Sequence, residues 1–310
     1  MAVILITGGT GMIGKRLTEH LVAEGHEVVI LTRKLPDRKP VKNGIRYALW
    51  NIEQQTIDET TIRRADHIIH LAGAGVADKR WSEQRKQEIV DSRTQSSALI
   101  VKALSEIPNH VQSVISASAI GWYGPDTTES RKNGFSEDAK PDNAFLGETC
   151  RLWEESIEPV TSLGKRLVKL RTGIVLSTQN GALVEFMKPL HMRVATVLGT
   201  GKQVVSWIHV DDLCSMYLFA IDHPTISGAY NAVAPTPVTN QELIRILAKQ
   251  MCGRWYITMY LPSLVLKIVL GEMSIEVLKS AKVSSGKIKR EGFVFLYPQL
   301  VNALEELLGK

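Results

Sequence analysis

Cysteine is scarce in this sequence: Cys150, Cys214 and Cys252 are the only ones in 310 residues, and no two form a C-x-x-C pair. An odd count without paired spacing argues against a disulfide framework and a structural zinc site, and for a reducing compartment. Long apolar runs are lacking as well. Residues 2–6 are apolar but pass straight into glycines, too short a run for a signal peptide. The stretch 260–270 is interrupted by Pro262 and Lys267 and falls well short of a bilayer span. A soluble cytoplasmic protein with no membrane partner is expected. Charge of one sign is not in large excess either, since 37 Lys and Arg face 32 Asp and Glu for a net +5. Lys and Arg are spread along the chain, with clusters such as Arg33, Lys34, Arg38 and Lys39 and Lys282, Lys287, Lys289 and Arg290. Such clusters attract phosphate or merely solvate a loop. No basic stripe interleaved with aromatics suggests nucleic acid.

What the chain does have is alternation. Short apolar runs at 3–6, 28–31, 45–49, 67–71, 111–117 and 167–170 are separated by helix-like stretches at 12–23, 81–105 and 144–162. Strand and helix in turn read as an α/β fold with a doubly wound parallel sheet and right-handed crossovers. The later chain is less regular, with helical stretches expected at 183–194, 211–221, 240–251, 262–270 and 298–308. Thr239 or Asn240 is placed to cap the third of these. The expected division is a cofactor domain over 1–173, to which the chain returns around 207–231. A smaller C-terminal substrate lobe then covers 174–310, with a helical extension from about 255.

The first strand runs into Thr7-Gly8-Gly9-Thr10-Gly11-Met12-Ile13-Gly14 and then a helix. Glycines at this spacing let a pyrophosphate approach the backbone, and the helix N-terminus offers free N–H donors and partial positive charge. A third glycine lets the helix pack close to the strand, which is the Rossmann dinucleotide arrangement. Gly9 to Lys15 also matches the start of a nucleoside-triphosphate loop, but Arg16 stands where Ser or Thr must hold magnesium. The second strand ends in Thr32-Arg33-Lys34, with no carboxylate to take a ribose 2′-hydroxyl. A planar guanidinium and an ammonium there suit a 2′-phosphate, so NADP(H) is the expected cofactor; a solvated loop would also carry both cations. The fourth strand ends in His70-Leu71-Ala72-Gly73-Ala74-Gly75, small residues over which a dinucleotide can lie, or which form a tight turn.

Taken together, T-G-G-T-G-M-I-G, H-L-A-G-A-G, S-A-S-A-I-G-W-Y-G, L-R-T-G-I-V-L, W-I-H-V-D-D-L and G-A-Y-N-A-V-A-P resemble the extended, atypical short-chain dehydrogenases of the NAD(P)-dependent epimerase/dehydratase family. W-S-E-Q-R-K-Q-E-I-V-D-S-R at 81–93 and the tail resemble a subgroup labelled epimerase-family proteins or NADP-dependent oxidoreductases, with a C-terminal domain of unknown function. The resemblance implies cofactor contacts from Gly8, Thr10, Gly11, Met12, Ile13, Gly14, Arg33, Lys34, Ala72, Gly73 and Ala74. It also implies them from Glu88 and Arg93, which could equally share one exposed helical face.

The family works with Ser, Tyr and Lys, the Lys favouring a tyrosinate that moves a proton as hydride moves. Ser118 matches the serine. The expected Y-x-x-x-K is missing: Phe145 pairs with Thr149 and Leu146 with Cys150. Tyr123, five residues after Ser118, is taken as the substitute proton donor, with Glu148 and Cys150 as weaker candidates and a buried structural tyrosine as the competing reading. His209, Asp211 and Asp212 read as helix-capping residues, not as a metal site or triad. Arg171 is open to a phosphate or substrate role. An NADP(H)-dependent oxidoreductase acting on an unknown small carbonyl or alcohol leads. A catalytically silent NADP(H)-binding sensor or partner-binding protein and, last, a nucleotide-sugar epimerase follow.

Overall fold

The computed structural model describes residues 1–36 and 44–309; Arg38 and Lys39 of the first cationic cluster lie outside the described residues. The first half contains β1 (Val3–Thr7), α1 (Met12–Ala23), β2 (Glu27–Thr32), β3 (Ile45–Asn51), β4 (Thr56–Ile57) and α2 (Glu59–Arg64). There follow β5 (His67–His70), α3 (Glu83–Glu106), β6 (Ser113–Ala119), α4 (Thr128–Asn133), α5 (Phe145–Ile157) and β7 (Arg166–Thr172). Next come β8 (Ile174–Leu176), α6 (Ala182–Leu190), β9 (Val194–Leu198), β10 (Val204–Val205), β11 (Trp207–His209), α7 (Val210–Asp222) and β12 (Gly228–Ala232). The chain closes with β13 (Val238–Thr239), α8 (Asn240–Cys252), β14 (Ile257–Leu261), α9 (Ser263–Leu270), α10 (Ser274–Leu278), α11 (Gly286–Arg290) and α12 (Leu300–Leu307).

Eight strands form one sheet in the order β12-β7-β6-β5-β1-β2-β3-β4, with every pair parallel except β3 with β4. This is the doubly wound Rossmann-type sheet expected from the alternation. Its order reverses between β1 and β5, where open α/β sheets bind ligands. The central strands β1, β2, β5 and β6 bury both faces, which is why their runs are continuously apolar, whereas β3 leaves Arg46 and Leu49 exposed. Along β1, Ile4 and Ile6 pack with Leu17 and Leu21 of α1 and Leu213 and Tyr217 of α7. Leu5, pointing the other way, packs with Leu99, Ile100 and Ala103 of α3. A separate core outside the sheet joins Leu183 and Leu190 of α6 to Trp207, Leu243, Leu247 and Leu304.

Two expectations for the later chain are corrected. The helix expected over 183–194 ends at Leu190; Arg193 adopts a left-handed conformation (φ 59°) and β9 begins. Residues 257–261, expected within a helical extension, form β14, which pairs in parallel with β9 from Val194↔Ile257 to Leu198↔Leu261. Val194-Ala-Thr-Val-Leu and Ile257-Thr-Met-Tyr-Leu are β-branched and aromatic segments. Neither satisfies its backbone until the other, far away in sequence, lies beside it. Thr239 caps α8 in a reciprocal box with Glu242, at one of the two capping positions expected.

A close backbone constraint lies where α1 crosses the end of β1. A Cβ on Gly14 would stand 2.5 Å from the Gly9 Cα and closer still to the Gly8 carbonyl oxygen. Backbone, not a flexible side chain, is in the way. Gly14→Ala is therefore expected to lower stability by about 1–3 kcal/mol, as overpacking does. Urea unfolding checks it, and an unchanged midpoint would mean that α1 can lift off the loop without cost.

Candidate cofactor and active site

The turn from β1 into α1 is built without side chains. Gly8 has φ +69°, and a Cβ on it would meet the Leu71 carbonyl at 2.9 Å. Gly11 is exposed, donates its N–H to the Gly8 carbonyl at 3.0 Å, and precedes α1 without any side-chain cap. The first N–H groups of α1 are therefore open to an anion placed over Gly11, Met12 and Ile13. Thr10 lies exposed beside them. Both features, a cradle that a methyl group would fill and an uncapped helix end, fit a dinucleotide pyrophosphate. At the end of the neighbouring β2, Arg33 and Lys34 are exposed, and neither has an ion pair among the described residues.

A buried polar network holds the facing loop, and sequence reasoning missed it. Thr7 Oγ1 accepts the N–H groups of Leu71 at 3.1 Å and Ala72 at 3.2 Å, so its own proton goes to His70 Nδ1 at 2.7 Å. His70 Nε2 then carries the ring proton and donates to Ser97 Oγ at 3.2 Å. The imidazole is wholly buried, and burial with Arg93 nearby pushes its pKa down to about 3. A histidine ending an otherwise apolar strand, opposite a threonine ending β1, was the available signal.

Beyond it the loop rests on two arginines of α3. Arg93 donates Nη1 to the carbonyls of Ala74 at 3.0 Å and Ile89 at 2.9 Å, and its guanidinium lies 4.8 Å over the Trp153 ring. A Cβ on Gly73 would touch it at 3.2 Å. No carboxylate pairs with Arg93 among the described residues, and burial depresses its pKa. Arg85 donates to the Gly75 carbonyl and pairs at 2.7 Å with Glu88, which is exposed. Glycine loop, β2 end, Ala72–Ala74 loop and Arg93 thus meet at one end of the sheet.

The expected catalytic residues fare differently. Tyr123 is corrected from proton donor to core residue: it is fully buried, stacked 5.1 Å from Phe135, and donates to Asn231 Oδ1 at 2.6 Å. Burial raises its pKa to about 12, the wrong direction for a tyrosinate. Ser118 is buried too, and its hydroxyl donates to Glu154 Oε1 at 2.7 Å rather than standing free for a substrate oxygen. Glu154 is held in turn by Arg171, Nε at 2.8 Å and Nη2 at 3.0 Å, and Arg171 stacks 3.6 Å from the Trp122 ring. Arg171, read as a possible phosphate contact, is thus a buried ion-pair partner. The lesser candidates are also unsuited. Hydrogen bonding to Arg151 lowers the Glu148 pKa, whereas a general acid needs it raised. Burial pushes the Cys150 thiol up to about 12.

His209 caps α7 by accepting the Asp211 N–H on Nδ1 at 3.1 Å, which leaves Nε2 protonated and donating to Glu306 at 2.9 Å. Asp211 is gripped by Arg16 at 2.6 Å and 2.9 Å and by His20 at 3.1 Å. Asp212 accepts the N–H groups of Leu296 and Tyr297. The ligand atoms of His209, Asp211 and Glu306 lie within 4.8 Å of one another, but the ring lone pair is used and a guanidinium covers the aspartate. The capping role expected of this segment matches that geometry.

The His70 network makes a pH prediction. An unfolded histidine protonates near 6.5, while the buried ring resists down to about 3. Between those values the unfolded state binds the extra proton, so this contribution is complete above pH 6.5 and is lost as pH falls toward 3. Its slope is about 1.4 kcal/mol per pH unit at most. His70→Asn is expected to be less stable than the parent at neutral pH, with the difference shrinking on acidification. Urea midpoints from pH 7.5 to 4 check it; parallel curves would count against a neutral buried His70.

A model of the NAD dependent epimerase/dehydratase family matches residues 4–233, and a domain of unknown function (DUF1731) matches residues 261–307. The chain is 33% identical over 307 residues to the epimerase family protein YfhF of Bacillus subtilis, covering 99% of this chain and 98% of that one. It is 34% identical over 306 residues to the epimerase family protein SAR0825 of Staphylococcus aureus, covering 99% of each. Among solved structures, the human epimerase family protein SDR39U1 with NADPH superposes with a TM-score of 0.85 at 27% identity over 99% of both chains. The UDP-glucose 4-epimerase of Thermus thermophilus in complex with NAD, at 18% identity and a TM-score of 0.74 over 99% of both chains, shares the fold. On this agreement of glycine cradle, sheet order and matched length, the chain belongs to the NAD dependent epimerase/dehydratase family, with a DUF1731 domain at its C-terminal end.

Proposed function

We propose that this protein is an NADP(H)-dependent oxidoreductase acting on a small carbonyl or alcohol compound. The observation that carries the cofactor choice is the end of β2, where Arg33 and Lys34 stand exposed with no acidic side chain in the strand-end Thr32-Arg33-Lys34. A carboxylate there would repel a 2′-phosphate; a guanidinium and an ammonium hold one. The structure of the human relative with NADPH supports the same reading.

Gly8, Gly11 and the open N–H groups of Met12 and Ile13 would take the pyrophosphate, and the backbone of Ala72, Gly73 and Ala74 would lie along the rest of the dinucleotide. Arg93, whose Nε and Nη2 have no partner among the described residues, would turn toward the cofactor from below. When bound, NADP(H) supplies or accepts a hydride. No tyrosine–lysine pair moves the accompanying proton, because Phe145 and Leu146 lack an acidic hydrogen and Ser118, Tyr123 and Cys150 are buried in other bonds. The proton is therefore exchanged with solvent, taken up on carbonyl reduction and released on alcohol oxidation, without the roughly 10²–10⁴-fold that a positioned acid contributes. Slow turnover follows, on substrates that do not depend on an internal acid. The free cysteines fit a cytoplasmic setting.

Two outcomes are expected. Arg33→Ala should weaken NADPH binding about 10–100-fold, the loss of one charge-assisted contact pair, and leave NADH binding unchanged. Calorimetric titration measures both, and equal losses for the two cofactors would remove the 2′-phosphate argument. Tyr123→Phe should leave turnover within about twofold while lowering stability by about 1–3 kcal/mol, since Asn231 and Arg171 lose a buried partner. Turnover that collapses in a stably folded Tyr123→Phe would restore the tyrosine as proton donor.

A further inference from the structure

The apolar surface of this protein is not evenly spread. Leu49, Ile174 and Val301 are exposed singly, but residues 255–275 expose one apolar side chain after another. Trp255 is 80% exposed and Ile257 73%, and Met259 and Tyr260 are each nearly half exposed. Pro262 then turns the chain into α9, where Leu264, Val265, Ile268 and Val269 form an exposed stripe at helical spacing. With Met192 beside Trp255, these side chains offer on the order of 1,000 Å² of apolar surface, against roughly 800 Å² per partner in a standard interface.

Within this surface lies an open strand edge. Among the described residues, strand β14 is bonded only to β9, in a two-stranded sheet. Ile257 donates its N–H to the Arg193 carbonyl at 2.9 Å, and the Leu261 carbonyl accepts from Gly199 at 2.9 Å. Residues 257, 259 and 261 therefore point their main-chain groups at β9, and Thr258 and Tyr260 point theirs away from it. The strand, Ile257-Thr-Met-Tyr-Leu, carries no charge and no proline, two of the devices that keep an edge from pairing.

We propose that two copies of this chain associate through β14 about a two-fold axis at Met259, joining their small sheets into one continuous sheet. The register follows from the outward groups. Thr258 of one copy lies opposite the partner's Tyr260, and each such pair exchanges both of its main-chain hydrogen bonds. Met259 faces the partner's Met259 at the non-hydrogen-bonded position, with Cα atoms about 4.5 Å apart. Antiparallel self-pairing is isologous, so one surface serves both sides and the assembly closes as a dimer. A lipid surface would cover the apolar side chains but leave the main-chain groups of Thr258 and Tyr260 unsatisfied in hydrocarbon. A second copy satisfies both. The cofactor crevice plays no part in the argument, so the dimer and the NADP(H) reading stand or fall separately.

Sedimentation equilibrium on the full chain at micromolar concentration is the test. A dimer is expected. Thr258→Pro removes an outward N–H without touching the bonds to β9, and should weaken the dimer at least tenfold while cooperative unfolding and near-ultraviolet circular dichroism stay unchanged. Met259→Cys in a Cys252→Ser background should form an intermolecular disulfide with oxidised glutathione, since the expected separation falls within the roughly 4.4–6.8 Å that disulfides span. A wild-type chain that stays monomeric overturns the proposal. So does a dimer unaffected by Thr258→Pro, or a monomer that partitions onto phospholipid vesicles.

Discussion

Main chain packed directly on main chain at the end of β1 is the contact on which the rest of the cofactor end depends. Gly8 lies against the Leu71 carbonyl and Gly14 against the turn Gly8–Gly9, at distances that leave no room for a Cβ. Because nothing stands between them, the N-terminus of α1 comes level with the ends of β1, β2 and β5 and remains uncapped. Its partial positive charge then belongs to whatever anion occupies the crevice. Thr7 and His70 secure the same junction from the inside, converting the turn after β5 from a loose connection into a fixed wall.

At the far end of the sheet the same economy of polar groups has the opposite effect on chemistry. Ser118, Glu154, Arg171, Tyr123 and Asn231 form a chain of buried hydrogen bonds from β6 through α5 and β7 to β12. Once a carboxylate and a guanidinium are buried together, each needs every bond it has, because removing one partner leaves a charge in a poorly polarisable interior. The Ser118 hydroxyl is held within that network by Glu154.

Long-range ties connect the cofactor helix to the later chain. Arg16 of α1 grips Asp211 of α7 at 2.6 Å, and His209 next to it reaches Glu306 of α12 at 2.9 Å. On the other side of the crevice Lys86 of α3 pairs with Glu272 at 2.6 Å, just after α9. These contacts bring the C-terminal segment against both α1 and α3, although nothing in its own composition pointed there.

The sequence by itself determined the Rossmann sheet, because apolar runs of strand length can be buried on both faces only between helices. It determined the glycine turn from β1 into α1 too, because glycine spacing is a statement about backbone approach. Arg33 and Lys34 could be placed because they adjoin a strand end that the pattern had already located. The destination of isolated polar residues was decided only by tertiary structure. Tyr123 is five residues from Ser118 in sequence, yet its hydroxyl is satisfied by Asn231, 108 positions away. The strands β9 and β14 likewise exist only as a pair, their registers 63 residues apart. Local pattern reports which face a residue takes on its own element. Which partner waits on that face depends on segments that meet only when the chain has folded.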